Sequence, residues 1–205
     1  MPIRLYRFEF STNVERVTLA LAHKGLDVES VWIDPENRTP VVRVSGQRLV
    51  PVLEHDGRIV FDSTAILRYL EHAFPEPPLY PRDEAQRVEM DVYIDWFNRV
   101  YKRPPNELEA ELSKSEPDER RIAELAREMV EHVEVHEALL AGRNHLFGDE
   151  FSAADCAAFP FLKYALEIDA GDDEPFHRIL HERQPIDAYP RLRAWIERVD
   201  ERPRA

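Results

Sequence analysis

A proline-rich stretch from Pro75 to Pro81 separates two parts of the chain that follow different patterns. Before it, short alternating apolar and polar runs, which predict strands, are interleaved with segments of helical periodicity. From Asp83 onward the apolar residues recur only at helical spacing. The 205 residues are enough for two small domains with separate cores. We therefore expect an α/β domain at residues 1–80 and an all-α domain at residues 84–205.

The first part predicts four strands and two helices. The strands are expected over Ile3–Phe8, Val28–Ile33, Val52–His55 and Ile59–Phe61, and the helices over Val14–Lys24 and Ser63–Phe74. The polar segment from Glu36 to Gln47 shows no such period and is predicted to be irregular. Asp and Gly both tolerate the positive φ angles that a two-residue hairpin turn requires. The Asp56-Gly57 pair therefore predicts a hairpin turn between the last two strands.

The second part predicts four helices. They are expected from Asp83 to Pro104-Pro105, and over Asp118–Leu140, Phe151–Ile168 and Tyr189–Val199. Ser152 and Asp155 have the spacing of a capping box, so we expect them to start the third of these helices. His132 and His136 have the spacing of two metal ligands on a helix. They lie among glutamates, however, and we predict a solvated helical face and no metal site.

Composition and charge exclude several classes of protein. The net charge of −13 argues against binding to nucleic acid or to an anionic membrane, because both require basic patches. No run approaches the ~18 apolar residues of a membrane span, and no signal peptide is visible. The single cysteine, Cys156, is predicted to be a small core residue. A lone cysteine suits a reducing compartment, so we expect a cytoplasmic protein.

The turn that contains Ser11 is the most informative candidate site. It joins the first strand to the first helix, where unpaired helix N–H groups bind and stabilise an anion. If that anion is a thiolate, the Ser11 hydroxyl can donate a hydrogen bond to it and lower the thiol pKa from about 8.5. The alternative is that Ser11 only caps the helix.

Two more positions suggest ligand contacts. If the Val50-Pro51 bond is cis, the Val50 backbone turns outward and can pair with an extended peptide; the alternative is an ordinary trans proline at a strand edge. Asp62 and Ser63 are expected to cap the second helix. The same groups can also bind the ammonium and carboxylate of an amino acid.

Four motifs together resemble the cytosolic glutathione transferases over essentially the whole chain. Ser11–Val17 resembles the phi-class pattern Ser-Thr-Asn-Val-x-Arg-Val, and Val50–Leu53 resembles the cis-proline signature of the family. Asp62–Leu70 and Gly148–Asp155 are similar to its patterns in the second helix and in the helical domain. The resemblance implies a thioredoxin-like N-terminal domain that binds glutathione as co-substrate, followed by an all-helical domain.

The resemblance also implies roles for individual residues. Ser11 would donate its hydroxyl to the glutathione sulfur, a task that the adjacent Thr12 and Asn13 could share or take over. The backbone of Val50, held by Pro51, would pair with the cysteinyl unit.

The two ends of glutathione would be held elsewhere. Asp62 and Ser63 would bind the γ-glutamyl end, and Arg38 or Arg48 would reach the glycyl carboxylate. Leu49 departs from the family pattern, which often has a glutamine or lysine there. The Leu49 side chain cannot form the hydrogen bond that glutamine or lysine would form with glutathione. The affinity for glutathione therefore has to be measured.

A small apolar electrophile is the expected second substrate. Phe10, Phe97 and Tyr101 are our candidates for its pocket. The expected activity is conjugation of glutathione, with a thiol-dependent reductase and a non-catalytic binding module as alternatives. The resemblance further implies a homodimer, for which Tyr69, Met90 and Tyr93 are predicted to supply spare apolar surface.

Overall fold

The computed structural model describes residues 2–205, and these residues form two compact units. The first contains residues 2–82 together with residues 202–205, and the second contains residues 83–201. The boundary lies next to the proline-rich stretch. We expected the last four residues to belong to the helical domain, but they pack on the first unit, where their side-chain and backbone partners lie.

The first unit has the thioredoxin-like fold that we expected. Its four-stranded sheet has the order β2-β1-β3-β4, in which β1 is parallel to β2 and antiparallel to β3, and β3 is antiparallel to β4. The strands are β1 (Ile3–Arg7), β2 (Val28–Trp32), β3 (Val52–His55) and β4 (Arg58–Phe61). The helices are α1 (Thr12–His23), α2 (Thr39–Ser45) and α3 (Ser63–Ala73).

Apolar periodicity explains how α1 and α3 are placed. Val17 and Leu21 on α1, and Ile66 and Leu70 on α3, are completely buried and supply the core of the unit. Burial of one such side chain stabilises a fold by about 1.5–3 kcal/mol. The predicted hairpin is confirmed, with positive φ angles at both residues of the Asp56-Gly57 turn.

Helix α2 is the element that sequence analysis missed in this unit. It lies within the segment predicted to be irregular, and only Val41 among its seven residues is buried. A helix that buries a single residue needs no apolar residues at helical spacing, and that spacing is the pattern from which helices are predicted. Its local signals were present, since Pro40 lies in its first turn and Gly46 ends it in the left-handed conformation.

The second unit is all-helical, as expected. Its helices are α4 (Glu84–Trp96), α5 (Arg103–Leu112), α6 (Glu119–Leu139), α7 (Ala153–Leu162), α8 (Pro175–Arg183) and α9 (Pro190–Asp200). A π-helical turn over Phe97–Tyr101 continues α4, and a 3₁₀ turn over Lys163–Ala165 continues α7. Every residue of α7 is buried, so this helix forms the centre of the unit. Among the described residues, no helix is long and apolar enough to cross a membrane.

Prolines misled the prediction of helix ends in this unit. Pro104 and Pro105 were expected to end a helix, but they lie in the first turn of α5, where a missing N–H costs no hydrogen bond. Helix α5 was therefore not predicted, and helix α8 was not predicted either. It starts in the same way at Pro175 and has only nine residues.

Asp155 organises the interior of the helical unit. The predicted capping box with Ser152 is confirmed, because Asp155 Oδ2 accepts the Ser152 backbone N–H at 2.9 Å and its hydroxyl at 2.7 Å. Asp155 Oδ1 accepts the Leu146 backbone N–H at 3.1 Å and the Trp195 Nε1–H at 2.8 Å. One buried carboxylate thus ties the start of α7 to a loop and to α9. Cys156, the next residue, is buried as predicted.

Candidate functional site

Ser11 occupies the N-cap position of α1. Its extended backbone (φ −74°, ψ 109°) follows Phe10, whose φ of 56° turns the chain sharply at the end of β1. Ser11 Oγ accepts the Val14 backbone N–H at 3.3 Å. Since Oγ acts as the acceptor in this bond, the hydroxyl hydrogen can still be donated to a ligand. The capping role of Ser11 is therefore compatible with the catalytic role that we predicted for it.

The start of α3 offers a second set of polar groups. Asp62 is its N-cap, and Asp62 Oδ1 accepts the backbone N–H groups of Thr64 and Ala65, each at 3.0 Å. The φ of Asp62 is 71°, a left-handed conformation that costs a non-glycine residue about 1–2 kcal/mol. Strained residues of this kind cluster at ligand sites. The carboxylate is exposed and the neighbouring Ser63 is buried.

Arg16 is a residue of this site that sequence analysis did not select. It is only 1% exposed, and its Nη1–H donates to Ser63 Oγ at 3.4 Å. Ser63 Oγ in turn donates to Asn13 Oδ1 at 3.4 Å. These bonds link the N-terminal ends of α1 and α3. The local signal was weak, because Arg16 is two residues from Val14 and one from Val17 and therefore lies off their helical face.

The Val50-Pro51 peptide bond is cis, as the motif suggested. Both residues are buried and directly precede β3. Within residues 2–205, the backbone N–H and C=O of Val50 take part in no backbone hydrogen bond. Those groups are available to an extended ligand. Thr12 is also buried, as the first residue of α1.

The two candidate arginines differ in placement. The Arg38 guanidinium lies 4.4 Å from the centre of the Phe8 ring, just beyond β1, and its Nε–H donates to the Pro35 carbonyl at 2.8 Å. Arg48 is exposed beside Leu49, whose side chain is 73% exposed. Of the two arginines, Arg38 is therefore the one held near the end of β1, next to the turn that contains Ser11.

Two of the three residues predicted for the electrophile pocket lie in the core of the helical unit. Phe97 is 0% exposed and Tyr101 is 3% exposed, and their rings stack with centroids 4.2 Å apart. Both follow the buried residues Met90 and Ile94 of α4 at helical spacing, so they continue the face of that helix that packs into the core. Phe10 is partly exposed and keeps accessible surface in the first unit.

The prediction of a solvated face around His136 is wrong. His136 is 0% exposed, and burial lowers its pKa to about 4, so the imidazole is neutral at physiological pH. Its Nδ1–H donates to the His132 carbonyl at 2.7 Å, and its Nε2 therefore accepts the Tyr93 hydroxyl at 2.9 Å. Aromatic rings of α4 and of the π-helical turn enclose it. Among the described residues, no three His, Cys, Asp or Glu side chains are grouped to hold a metal ion.

Comparison with known proteins gives the family. Residues 5–78 match the family model described as "Glutathione S-transferase, N-terminal domain", and residues 119–198 match "Glutathione S-transferase, C-terminal domain". LigF of a Sphingobium strain is 35% identical over 107 residues, which are 49% of this chain and 42% of that protein. Glutathione transferase omega-1 of Caenorhabditis elegans is 26% identical over 96% of this chain and 76% of its own length.

A solved structure agrees with these matches. A rice glutathione transferase in complex with glutathione superposes with a TM-score of 0.79 at 27% identity, over 98% of this chain and 86% of that one. The two family models, in the expected order, together match most of the residues of both units. The chain therefore belongs to the cytosolic glutathione transferase superfamily.

Proposed function

We propose that this glutathione transferase activates the glutathione thiol with the Ser11 hydroxyl and the N-terminus of α1, and then conjugates it to a small apolar electrophile. The observation that carries the proposal is the position of Ser11 Oγ, 3.3 Å from the Val14 nitrogen at the start of a helix. A hydroxyl donor and the positive end of a helix both stabilise a thiolate. Lowering a thiol pKa by ~2 units corresponds to about 2.7 kcal/mol.

The other site residues would orient the tripeptide. The outward Asp62 carboxylate binds the ammonium of the γ-glutamyl end, and Ser63, through its backbone N–H at the first position of α3, binds its carboxylate. The backbone of Val50, beside the cis bond to Pro51, pairs with the cysteinyl unit. Arg38 is the better candidate than Arg48 for the glycyl carboxylate, because Phe8 holds it near β1. Thr12 and Asn13 support the turn around Ser11.

Calorimetric titration with glutathione, followed by turnover of an activated aryl halide, tests this function. Binding and conjugation together are the expected result. Activity with a mixed disulfide and none with the aryl halide would instead select a thiol-dependent reductase. Absence of thiol binding would select a non-catalytic module. The proposed location is the cytoplasm, where thiols stay reduced, which suits the single buried cysteine.

Replacing Asp62 by alanine is expected to weaken glutathione binding by about tenfold, since a hydrogen bond to a charged group contributes about 1.5 kcal/mol. Calorimetry measures the change. Asp83→Ala is the matched control, because Asp83 also caps a helix through its side chain, at Gln86 N, but lies in the helical unit. That variant should lose a cap and retain its affinity.

A glutathione analogue without the α-amino group distinguishes the two roles of Asp62. The analogue should bind equally to the Asp62→Ala variant and to the unchanged protein. If the variant still prefers glutathione over the analogue by the original factor, Asp62 does not bind the ammonium.

The proposal includes a homodimer. Met90 and Tyr93, which we expected to be spare surface residues, are buried in the helical unit, so they cannot serve. Phe61, Val88 and Val92 are exposed by 46%, 57% and 64% and offer apolar surface instead. Light scattering at micromolar concentration should give twice the mass of 24.0 kDa. A mass of one chain at every accessible concentration would refute the dimer.

A further inference from the structure

Residues 202–205 lie shortly after the end of α9 and are hydrogen-bonded to α1 and to β1. The Ala205 backbone N–H donates to the Thr18 carbonyl at 3.2 Å, and Arg7 Nη1–H donates to the Ala205 carbonyl at 2.8 Å. Arg202 Nη2 lies 3.0 Å from His23 Nδ1 at the far end of the helix. We call residues 202–205 the C-terminal strap.

Arg204 is the part of the strap that contacts the first turn of α1. Its Nε–H and its Nη2–H donate to the same oxygen, Glu15 Oε1, at 3.1 and 3.0 Å. Its Nη1–H donates to the Arg202 carbonyl at 2.6 Å, which fixes the remaining edge of the guanidinium. The two side chains are largely shielded from solvent, with 25% of Arg204 and 16% of Glu15 exposed. Screening by water is therefore weaker than for a surface pair.

Glu15 occupies a sensitive position. Its backbone N–H donates to the Ser11 carbonyl at 2.9 Å, so Ser11 and Glu15 lie four residues apart on one face of the helix. The positive N-terminal end of a helix interacts with any carboxylate in its first turn. The Glu15 carboxylate therefore competes for this positive end with an anion bound at Ser11. An uncompensated negative charge there would also repel a thiolate and raise the thiol pKa.

We propose that Arg204 is a positioning residue for thiol activation: by neutralising Glu15, it leaves the positive end of α1 to the glutathione sulfur at Ser11. Arg204 acts through Glu15 and does not touch the substrate. The inference rests on the function proposed above. Two other charged side chains belong to the same helix ends, Arg16 on α1 and Asp62 at the start of α3, and the test leaves both unchanged.

The test measures the thiolate of enzyme-bound glutathione by ultraviolet absorbance as pH is raised, together with the pH profile of kcat/KM. Arg204→Gln should raise the thiol pKa by about 0.5 unit, as expected for one charge removed within roughly 10 Å. The double variant Glu15→Gln/Arg204→Gln removes both charges and should restore the original pKa. Arg202→Gln is the matched control in the same strap and should leave the pKa unchanged.

The outcomes separate this inference from the proposed function. If the unchanged protein binds and ionises glutathione but Arg204→Gln has the same thiol pKa, the inference is overturned and the function stands. An equal rise in all three variants would show a structural role of the strap and also overturn it. If the unchanged protein produces no bound thiolate, both the function and the inference fail.

Discussion

Replacing Asp155 by alanine is expected to lower the free energy of unfolding by about 3–5 kcal/mol, the scale observed when a buried charged network loses a partner. The carboxylate accepts four hydrogen bonds, from two groups of Ser152, from Leu146 N–H and from Trp195 Nε1–H. Its removal leaves these buried donors without an acceptor, and each such donor costs about 1–3 kcal/mol. Denaturant titration measures the change.

Asp187→Ala provides the control for this prediction. The Asp187 side chain is 100% exposed and pairs with Arg193 at the surface, so its loss should change stability by less than ~1 kcal/mol. If Asp155→Ala does not fold, Asp155→Asn retains one carbonyl oxygen and should give an intermediate loss. Equal stability of the Asp155 and Asp187 variants would contradict the role assigned to the buried carboxylate.

Replacing Ser11 by alanine is expected to lower turnover of an activated aryl halide at least ~10-fold, the effect of losing one good hydrogen bond to an anion. Affinity for glutathione should change less, because most of the proposed contacts lie elsewhere. Steady-state kinetics at saturating glutathione measure the first quantity, and calorimetry measures the second. The lost N-cap should also reduce stability by about 0.5–2 kcal/mol.

Ser11→Thr separates catalysis from capping. Threonine keeps a hydroxyl and caps a helix almost as well as serine, so this variant should retain most of the turnover that Ser11→Ala loses. Unchanged turnover in Ser11→Ala would remove Ser11 from the mechanism. Thr12→Ala and Asn13→Ala would then identify the donor, although Thr12 is buried and Asn13 already accepts a bond from Ser63.

Elements with a strong local pattern were predictable from sequence. Strand β3 has the predicted bounds, Val52–His55, because proline and a turn delimit it on either side. Helices α1 and α3 were found because apolar residues recur along each of them at helical spacing. Short helices were missed, since α2 and α8 bury too few residues to show a period. Part of the candidate site was predictable for the same reason. Ser11 and Asp62 are helix caps, and helix caps have recognisable local sequence patterns.

The amino-acid sequence by itself determined the two-part architecture, the helix caps and the turns, because each depends on residues a few positions apart. Only the tertiary structure decided which charges meet. Arg204 and Glu15 are 189 positions apart in the sequence, and Arg16 and Ser63 are 47 positions apart. No local sequence pattern predicts either pair. The burial of His136 depended in the same way on rings from α4 and the π-helical turn. Such contacts are set by how helices pack, since that packing selects the faces that become buried.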